Sequence, residues 1–260
     1  MKKADLWLIA PFVLCAALTI VFGVPGIITY EDKILGRLIS DTVPRIAVSA
    51  FLIILMCTRG YANAFKAKWS AWHLLWSIPC FLVAIANFPF SALILGRASI
   101  DRTDLLWLFI LKCVSIAVLE ELFFRALLVP LFLERFSDNK YRVIITVIGT
   151  AVLFAIIHFL NIFLGAGIGS TMQQVGYTFL IGCMLAVMLI YTKNIWLCIL
   201  VHTIFDIGGT IVNDLGDGPF QNYIFWILTA VAGGICFVHI IITIFHLTKK
   251  TNRTTNPSKE

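Results

Sequence analysis

Residues 143–192 read VIITVIGTAVLFAIIHFLNIFLGAGIGSTMQQVGYTFLIGCMLAVMLIYT, fifty residues without one Asp, Glu, Lys or Arg. A helix crossing the hydrocarbon of a bilayer needs about 20 mostly apolar residues, so this stretch is too long for one crossing and long enough for two. Gly165, Gly167, Gly169, Ser170, Thr171 and Gln173 concentrate turn-forming and polar side chains between Asn161 and Gln174, and the helical break is expected there.

Further charge-free windows lie on either side. Residues 6–30, 69–96 and 219–248 each suffice for a span, whereas 46–58 is short and needs Arg45 and Arg59 to snorkel. Charge-interrupted apolar segments at 105–133 and 195–213 complete an all-α, polytopic transmembrane bundle of about eight spans. The composition agrees: 60% of the 260 residues are hydrophobic and 13% charged, against about 45–50% and about 25% in soluble domains. A mean hydropathy of +0.95 leaves too little polar surface for a water-facing skin and excludes low-complexity disorder. The net charge of +6 does not point to nucleic acid, because the basic residues punctuate apolar stretches instead of clustering on one face. The lipid bilayer is the expected partner.

Lysine and arginine are enriched in cytoplasmic loops. With an even number of spans, one side holds thirteen of them, including Lys2, Lys3, Arg59, Arg135, Lys193 and Lys250, and the other holds five: Lys33, Arg37, Arg45, Arg97 and Arg102. Both termini are therefore expected in the cytoplasm. Met1-Lys2-Lys3 before an apolar run resembles a signal peptide, but the run is long and no small-residue cleavage site precedes Pro25, so a retained first helix is expected. The division expected is 1–104 as N-terminal spans, 105–213 as core, 214–248 as the final span and 249–260 as a basic tail. The seven cysteines form no Cys-x-x-Cys pair and read as small hydrophobes. Trp69, Trp72, Trp76, Trp107 and Trp196 read as interfacial or lipid-facing bulk.

Charged groups at mid-membrane cost at least about 2.5–3.5 kcal/mol on insertion scales, so those present call for a reason. Three clusters stand out: Glu120-Glu121-x-x-x-Arg125, Phe154-x-x-x-His158 and His202-x-x-x-Asp206. On a helix Glu121 and Arg125 are i,i+4 neighbours in the favourable order, while Glu120 points about 100° away. One carboxylate is thereby neutralised and one left available as a base. If their helices pack together, Glu120, His158, His202 and Asp206 can converge on a cavity that holds and deprotonates a water and steadies an oxyanion. Counted at about 1.5 Å per residue, however, His158 falls toward the far side and His202 toward the cytoplasmic side of Glu120. Lys112, His239 and His246 read as polar groups bonded to neighbouring helices, with Lys112 alternatively reaching Glu120 or snorkelling. Asp214 and Asp217 read as loop residues beside Gly216, Gly218 and Pro219.

These three motifs, in this order on separate helices, resemble the CPBP intramembrane proteases, which include the Rce1-type CAAX prenyl endopeptidases and the bacterial proteins formerly called Abi. The resemblance covers about residues 105–213, less than half of the chain. It implies an endopeptidase acting on a membrane-associated or lipidated peptide or protein. Glu120 would be the glutamate that activates water, His158 would share that water, Glu121 and Arg125 would form a supporting pair, and His202 with Asp206 would stabilise the oxyanion and complete the site. Asp206 stands where the family often has Asn, and a carboxylate cannot donate a hydrogen bond unless protonated. Family members are described both as metalloproteases and as metal-free glutamic proteases. Zinc on Glu120, His158 and His202 is the metal alternative, and the absence of His-Glu-x-x-His favours the glutamic form.

Other chemistries leave weaker traces. Gly167-Ile168-Gly169-Ser170 lacks a rhomboid-like setting, and Asp206 is the only span aspartate for a presenilin-like pair. A proton-coupled transporter or channel would use Glu120, His158, His202 and Asp206 as a relay, but the broken helices in corresponding halves that mark such folds are not found. A third reading is a non-catalytic membrane partner that keeps the motifs for packing. Short Lys/Arg-bearing loops and no organelle address fit a bacterial cell membrane.

Overall fold

The computed structural model describes residues 30–255 except Leu164, together with Val13 and Ala17. The expected first span at 6–30 therefore lies almost wholly outside the described residues, as does the end of the basic tail beyond Thr255.

Helix α1 (Lys33–Thr58) starts where Asp32 Oδ1 accepts from the amides of Ile34 and Leu35. The expected short second span is thus a helix of 26 residues. Its extra turns carry Arg37, Asp41 and Arg45, tolerated because each is paired: Arg45 with Asp41, Asp41 with Lys112, and Arg37 with Asp214. Helix α2 (Ala71–Ala86) is capped by Ser70 and stops at Asn87, after which Pro89 opens the short helix α3 (Phe90–Ile94). The expected third span is consequently a 16-residue helix and a bend instead of one rod.

A two-residue strand, β1 (Ser99–Ile100), precedes the central helix, which runs without interruption through α4 (Leu106–Glu121), a π-helical stretch (Leu122–Leu128) and α5 (Val129–Arg135). Helix α6 (Arg142–Ile157) and the single turn α7 (Leu160–Phe163) lead to α8 (Ile168–Thr192), so the long apolar stretch breaks where its glycines stand. Lys193 takes a left-handed conformation (φ 55°) and Asn194 caps α9 (Ile195–Leu215), a two-residue reversal that sets α8 and α9 side by side. Strand β2 (Gly216–Asp217) pairs antiparallel with β1, and α10 (Tyr223–Thr255) closes the described chain. At Gly216 a Cβ would meet the Ser99 carbonyl oxygen at 1.8 Å, so only glycine admits this pairing.

Five of these stretches, α1, α6 with α7, α8, α9 and α10, are long and apolar enough to cross a membrane. Large apolar side chains on α2 and α10, among them Leu75, Ile78, Trp226, Val231 and Phe245, face outward, as a lipid solvent allows and water does not. Trp69, Trp72, Trp107 and Trp196 are exposed as expected. Trp76 is not; it is buried, its ring 4.6 Å from those of Tyr191 and His239. The protein is an all-α, multi-pass membrane bundle. Its core brings α1, α2, α6, α8 and α9 around the middle of the α4–π–α5 helix, where the charged motifs lie.

Candidate active site

Glu120 and Glu121 end the α-helical part of the central helix, and the π turn begins at the next residue. A π segment shifts the register of following side chains and recurs at functional positions. It still leaves Arg125 facing Glu121, with Nη1 3.1 Å from Oε1. Both side chains are sealed from the surface, at 1% and 0% exposure. Arg125 also lies over the ring of Phe154 from α6, Cζ to centroid 4.3 Å, so the guanidinium is held between a carboxylate and an aromatic face.

Helix α9 runs antiparallel to α4. Two cross-links fix this: Lys112 Nζ lies 2.7 Å from Asp214 Oδ2, and His202 Nδ1 lies 2.8 Å from Glu121 Oε1. Because a carboxylate only accepts, the His202 hydrogen sits on Nδ1 in that bond, and Nε2 is turned to the other side. There it faces Glu120 Oε2 at 3.7 Å and Asp206 Oδ1 at 3.6 Å. These distances exceed direct hydrogen bonds, and the two carboxylates are the more open members of the cluster, with side chains 24% and 19% exposed. Among the described residues no protein group hydrogen-bonds Asp206 Oδ2, which is buried.

The structure therefore brings together Glu120, Glu121, Arg125, His202 and Asp206. The stagger in depth expected for His202 does not arise, because the α4–π–α5 helix, about 45 Å long at ~1.5 Å per residue, outruns the hydrocarbon and its end does not mark the interface. His158 stands apart. It caps α6, its Nδ1 2.9 Å from the Phe154 carbonyl oxygen, which makes Nδ1 the donor and leaves the Nε2 lone pair free to accept. The Phe154 ring meets both imidazoles edge-to-face, His158 at 5.1 Å and His202 at 6.0 Å, so it packs against both. The zinc set Glu120, His158 and His202 does not fit this geometry: among the described residues no three His, Cys, Asp or Glu side chains gather as a metal ion requires.

Two groups escaped the sequence reading. Asn87, where α2 ends, donates from Nδ2 to the Phe205 carbonyl at 2.8 Å, beside Asp206. Gly208 and Gly209 make room for it, since a Cβ at either would lie 2.5 Å from Phe88 or from the Asn87 amide. A pair of glycines about two turns after His202 was the available signal. Asp214, expected in a loop, sits in the last turn of α9 and is the buried partner of Lys112, whose other carboxylate is Asp41 at 3.6 Å. Asp217 lies in β2.

Residues 102–208 match the family described as type II CAAX prenyl endopeptidase, Rce1-like. The match contains all three motifs, the whole of α4 and α9 as far as Gly208. No curated protein and no solved structure gave a match.

Proposed function

We propose, with the match of residues 102–208 to the Rce1-like CAAX endopeptidase family as premise, that the protein hydrolyses a peptide bond of a membrane-associated or lipidated substrate with a water activated by Glu120. Residues 105–213 form the catalytic core in this reading, and 1–104 and 214–248 are flanking membrane helices. The observation that carries it is the bridging position of His202: one ring nitrogen is bound to the sealed Glu121–Arg125 pair, and the other faces the two accessible carboxylates.

A water held beside Glu120 gives a proton to its carboxylate as the water oxygen attacks the scissile carbonyl carbon; Glu120 then passes that proton to the departing amine nitrogen. Charge develops on the carbonyl oxygen. A proton resting between His202 Nε2 and the flanking carboxylates can be turned toward it. Glu121 and Arg125 act through His202, fixing its tautomer and ring plane without touching substrate. His158, the second imidazole packed against Phe154, offers its Nε2 lone pair to the hydrogen of the same water. A transporter relay would need His158 joined to the other three, and the family match does not favour that reading.

The test uses the full chain in detergent micelles with prenylated and unprenylated peptides. Glu120→Gln is expected to abolish cleavage while leaving the thermal transition in place, and His158→Ala to lower it strongly. Cleavage by Glu120→Gln at the wild-type rate overturns the mechanism. In a chelator arm, loss of activity restored by zinc counts against the metal-free form.

A further inference from the structure

Helix α9 carries both His202 and Asp206, and the two are held in different ways. The His202 ring is fixed by its 2.8 Å bond to Glu121, and about two turns beyond Asp206 the Asp214 carboxylate binds Lys112 at 2.7 Å. The Asp206 side chain has no such hold. Its Oδ1 lies 3.6 Å from His202 Nε2, beyond a direct hydrogen bond, and no group among the described residues bonds Oδ2. Where this carboxylate stands is therefore set by its backbone, and the carbonyl that precedes it receives a donor from another helix. Asn87 Nδ2 gives its hydrogen to the Phe205 carbonyl oxygen at 2.8 Å. A carbonyl only accepts, so this bond fixes which end of the Asn87 amide faces α9. The next carbonyl, that of Asp206 itself, accepts from Thr210 Oγ1 at 2.9 Å. Both carbonyls flanking Asp206 thus carry a side-chain donor, one from α9 and one from the end of α2.

The corner that presents Asn87 is anchored and closely approached. The Ala86 carbonyl accepts from Thr229 of α10 at 3.4 Å, the Phe88 amide turns back to the Ile85 carbonyl at 3.1 Å, and the Phe88 ring stacks on Phe90. Helix α9 meets this corner with Gly208 and Gly209, where a Cβ would lie 2.5 Å from the Phe88 ring and 2.5 Å from Asn87 Nδ2. Adjacent glycines are unfavourable in a helix interior, and here they admit the contact. Asn87 also lies outside the residues 102–208 that carry the family match.

We propose that Asn87 is a positioning residue of the active site: its bond to the Phe205 carbonyl sets the depth and rotation of α9 at Asp206, and so the placement of that carboxylate against His202 Nε2. Asn87 touches no reacting atom. The N-terminal helices thereby take part in the chemistry as well as framing the bundle. This inference rests on the endopeptidase reading above.

The experiment uses the full chain in detergent micelles with one prenylated peptide, a peptide phosphonamidate as the tetrahedral mimic, and thermal melting as the fold control. It compares wild type, Glu120→Gln, Asn87→Leu, Gly209→Ala, Asp206→Ala and Asn87→Leu with Asp206→Ala. A misplacement of about 1 Å costs about 10²-fold in rate. Loss of one bond on a helix anchored elsewhere should cost less, about 10-fold in kcat for Asn87→Leu, with KM unchanged and the phosphonamidate weakened by the same factor. Residues that act as a unit are not additive, so in the Asp206→Ala background Asn87→Leu should weaken the phosphonamidate by less than about 2-fold. Gly209→Ala displaces the Asn87 amide from the α9 side and should show the same loss of kcat with melting unchanged or raised, because alanine favours the helix. If Glu120→Gln is inactive while Asn87→Leu keeps wild-type kcat, or raises KM alone, the Asn87 role is overturned and the endopeptidase reading stands. An equal loss of phosphonamidate binding with and without Asp206 overturns it as well, since that is the signature of packing. Wild-type protein that does not cleave, or Glu120→Gln that does, overturns the endopeptidase reading and this inference with it. Should Asn87→Leu fail to fold, Gly209→Ala, which keeps Asn87, decides by the same kcat criterion.

Discussion

Replacing Arg125 with Met removes the guanidinium while keeping most of the side chain's length. Glu121, with no exposure, then keeps only the 2.8 Å bond from His202. Breaking a buried ion pair from one side costs about 3–5 kcal/mol, because the remaining charge is left uncompensated. Loss of the contact over Phe154 adds up to about 2 kcal/mol where the cation is desolvated. The two losses share one group and overlap, and the unfolded chain in a micelle finds alternative partners for its polar groups. The expected total is therefore about 4 kcal/mol, or about three decades in the unfolding equilibrium constant. Titration of the full chain with SDS in mixed micelles, followed by circular dichroism, measures it. The double variant Arg125→Met with Glu121→Gln removes both charges yet leaves an amide oxygen to accept from His202 Nδ1, and should recover more than half of the loss. Arg125→Lys should fall between, since a compact ammonium cannot both reach Glu121 and lie flat on Phe154. A loss under about 1 kcal/mol for Arg125→Met, or a double variant no more stable than the single, refutes the view that this pair is a sealed charge centre.

The second buried pair behaves similarly on a smaller scale. Lys112→Met strands Asp214 beside the half-exposed Arg37, 3.4 Å away, and should cost about 2–3 kcal/mol, with Lys112→Met/Asp214→Leu costing less than the single change in the same titration; additive losses would mean that the two residues do not share a pair. Outside the bilayer, the Arg102 side-chain hydrogen bond, helped by the amides at the start of α1, holds the Asp32 carboxyl down at about 2. The stability this lends is full above about pH 4, where the unfolded carboxyl is also ionised, and is lost as pH falls through about 2. An NMR titration of carboxyl-labelled protein should show the Asp32 midpoint rising in Arg102→Gln, and an unmoved midpoint contradicts the pairing.

Particular residues show how far the sequence could be read. Glu121 and Arg125 are four apart on one helix, so their pairing follows from helical geometry and is visible in the sequence. The helical break among Gly165, Gly167 and Gly169 was equally visible, because glycine and polar composition act locally. Lys112 had three possible fates by spacing, and the one observed, a bond to Asp214 over a hundred positions away, depends on where α9 ends. That end is set by the β1–β2 pairing and by the amides of Asp101 and Arg102, which donate to the Leu215 carbonyl. Similarly, the start of α1 at Lys33 was hidden because its charges look unfit for a span until their partners on α4 and α9 are in place.

What the sequence determined by itself was the solvent and the chemistry: a chain too apolar for water, in which the few ionisable groups left within its spans must be paired or functional. Those conclusions rest on composition and on i,i+4 periodicity, which are properties of each segment alone. Only the tertiary structure decided that His202 would choose Glu121 and turn its far nitrogen to Glu120 and Asp206, and that the Phe154 ring would pack against both imidazoles. Such choices depend on the relative depth of the helices, on the tight reversal at Lys193 and Asn194, and on a central helix longer than the membrane is thick. These are relations between segments distant in sequence, fixed by packing.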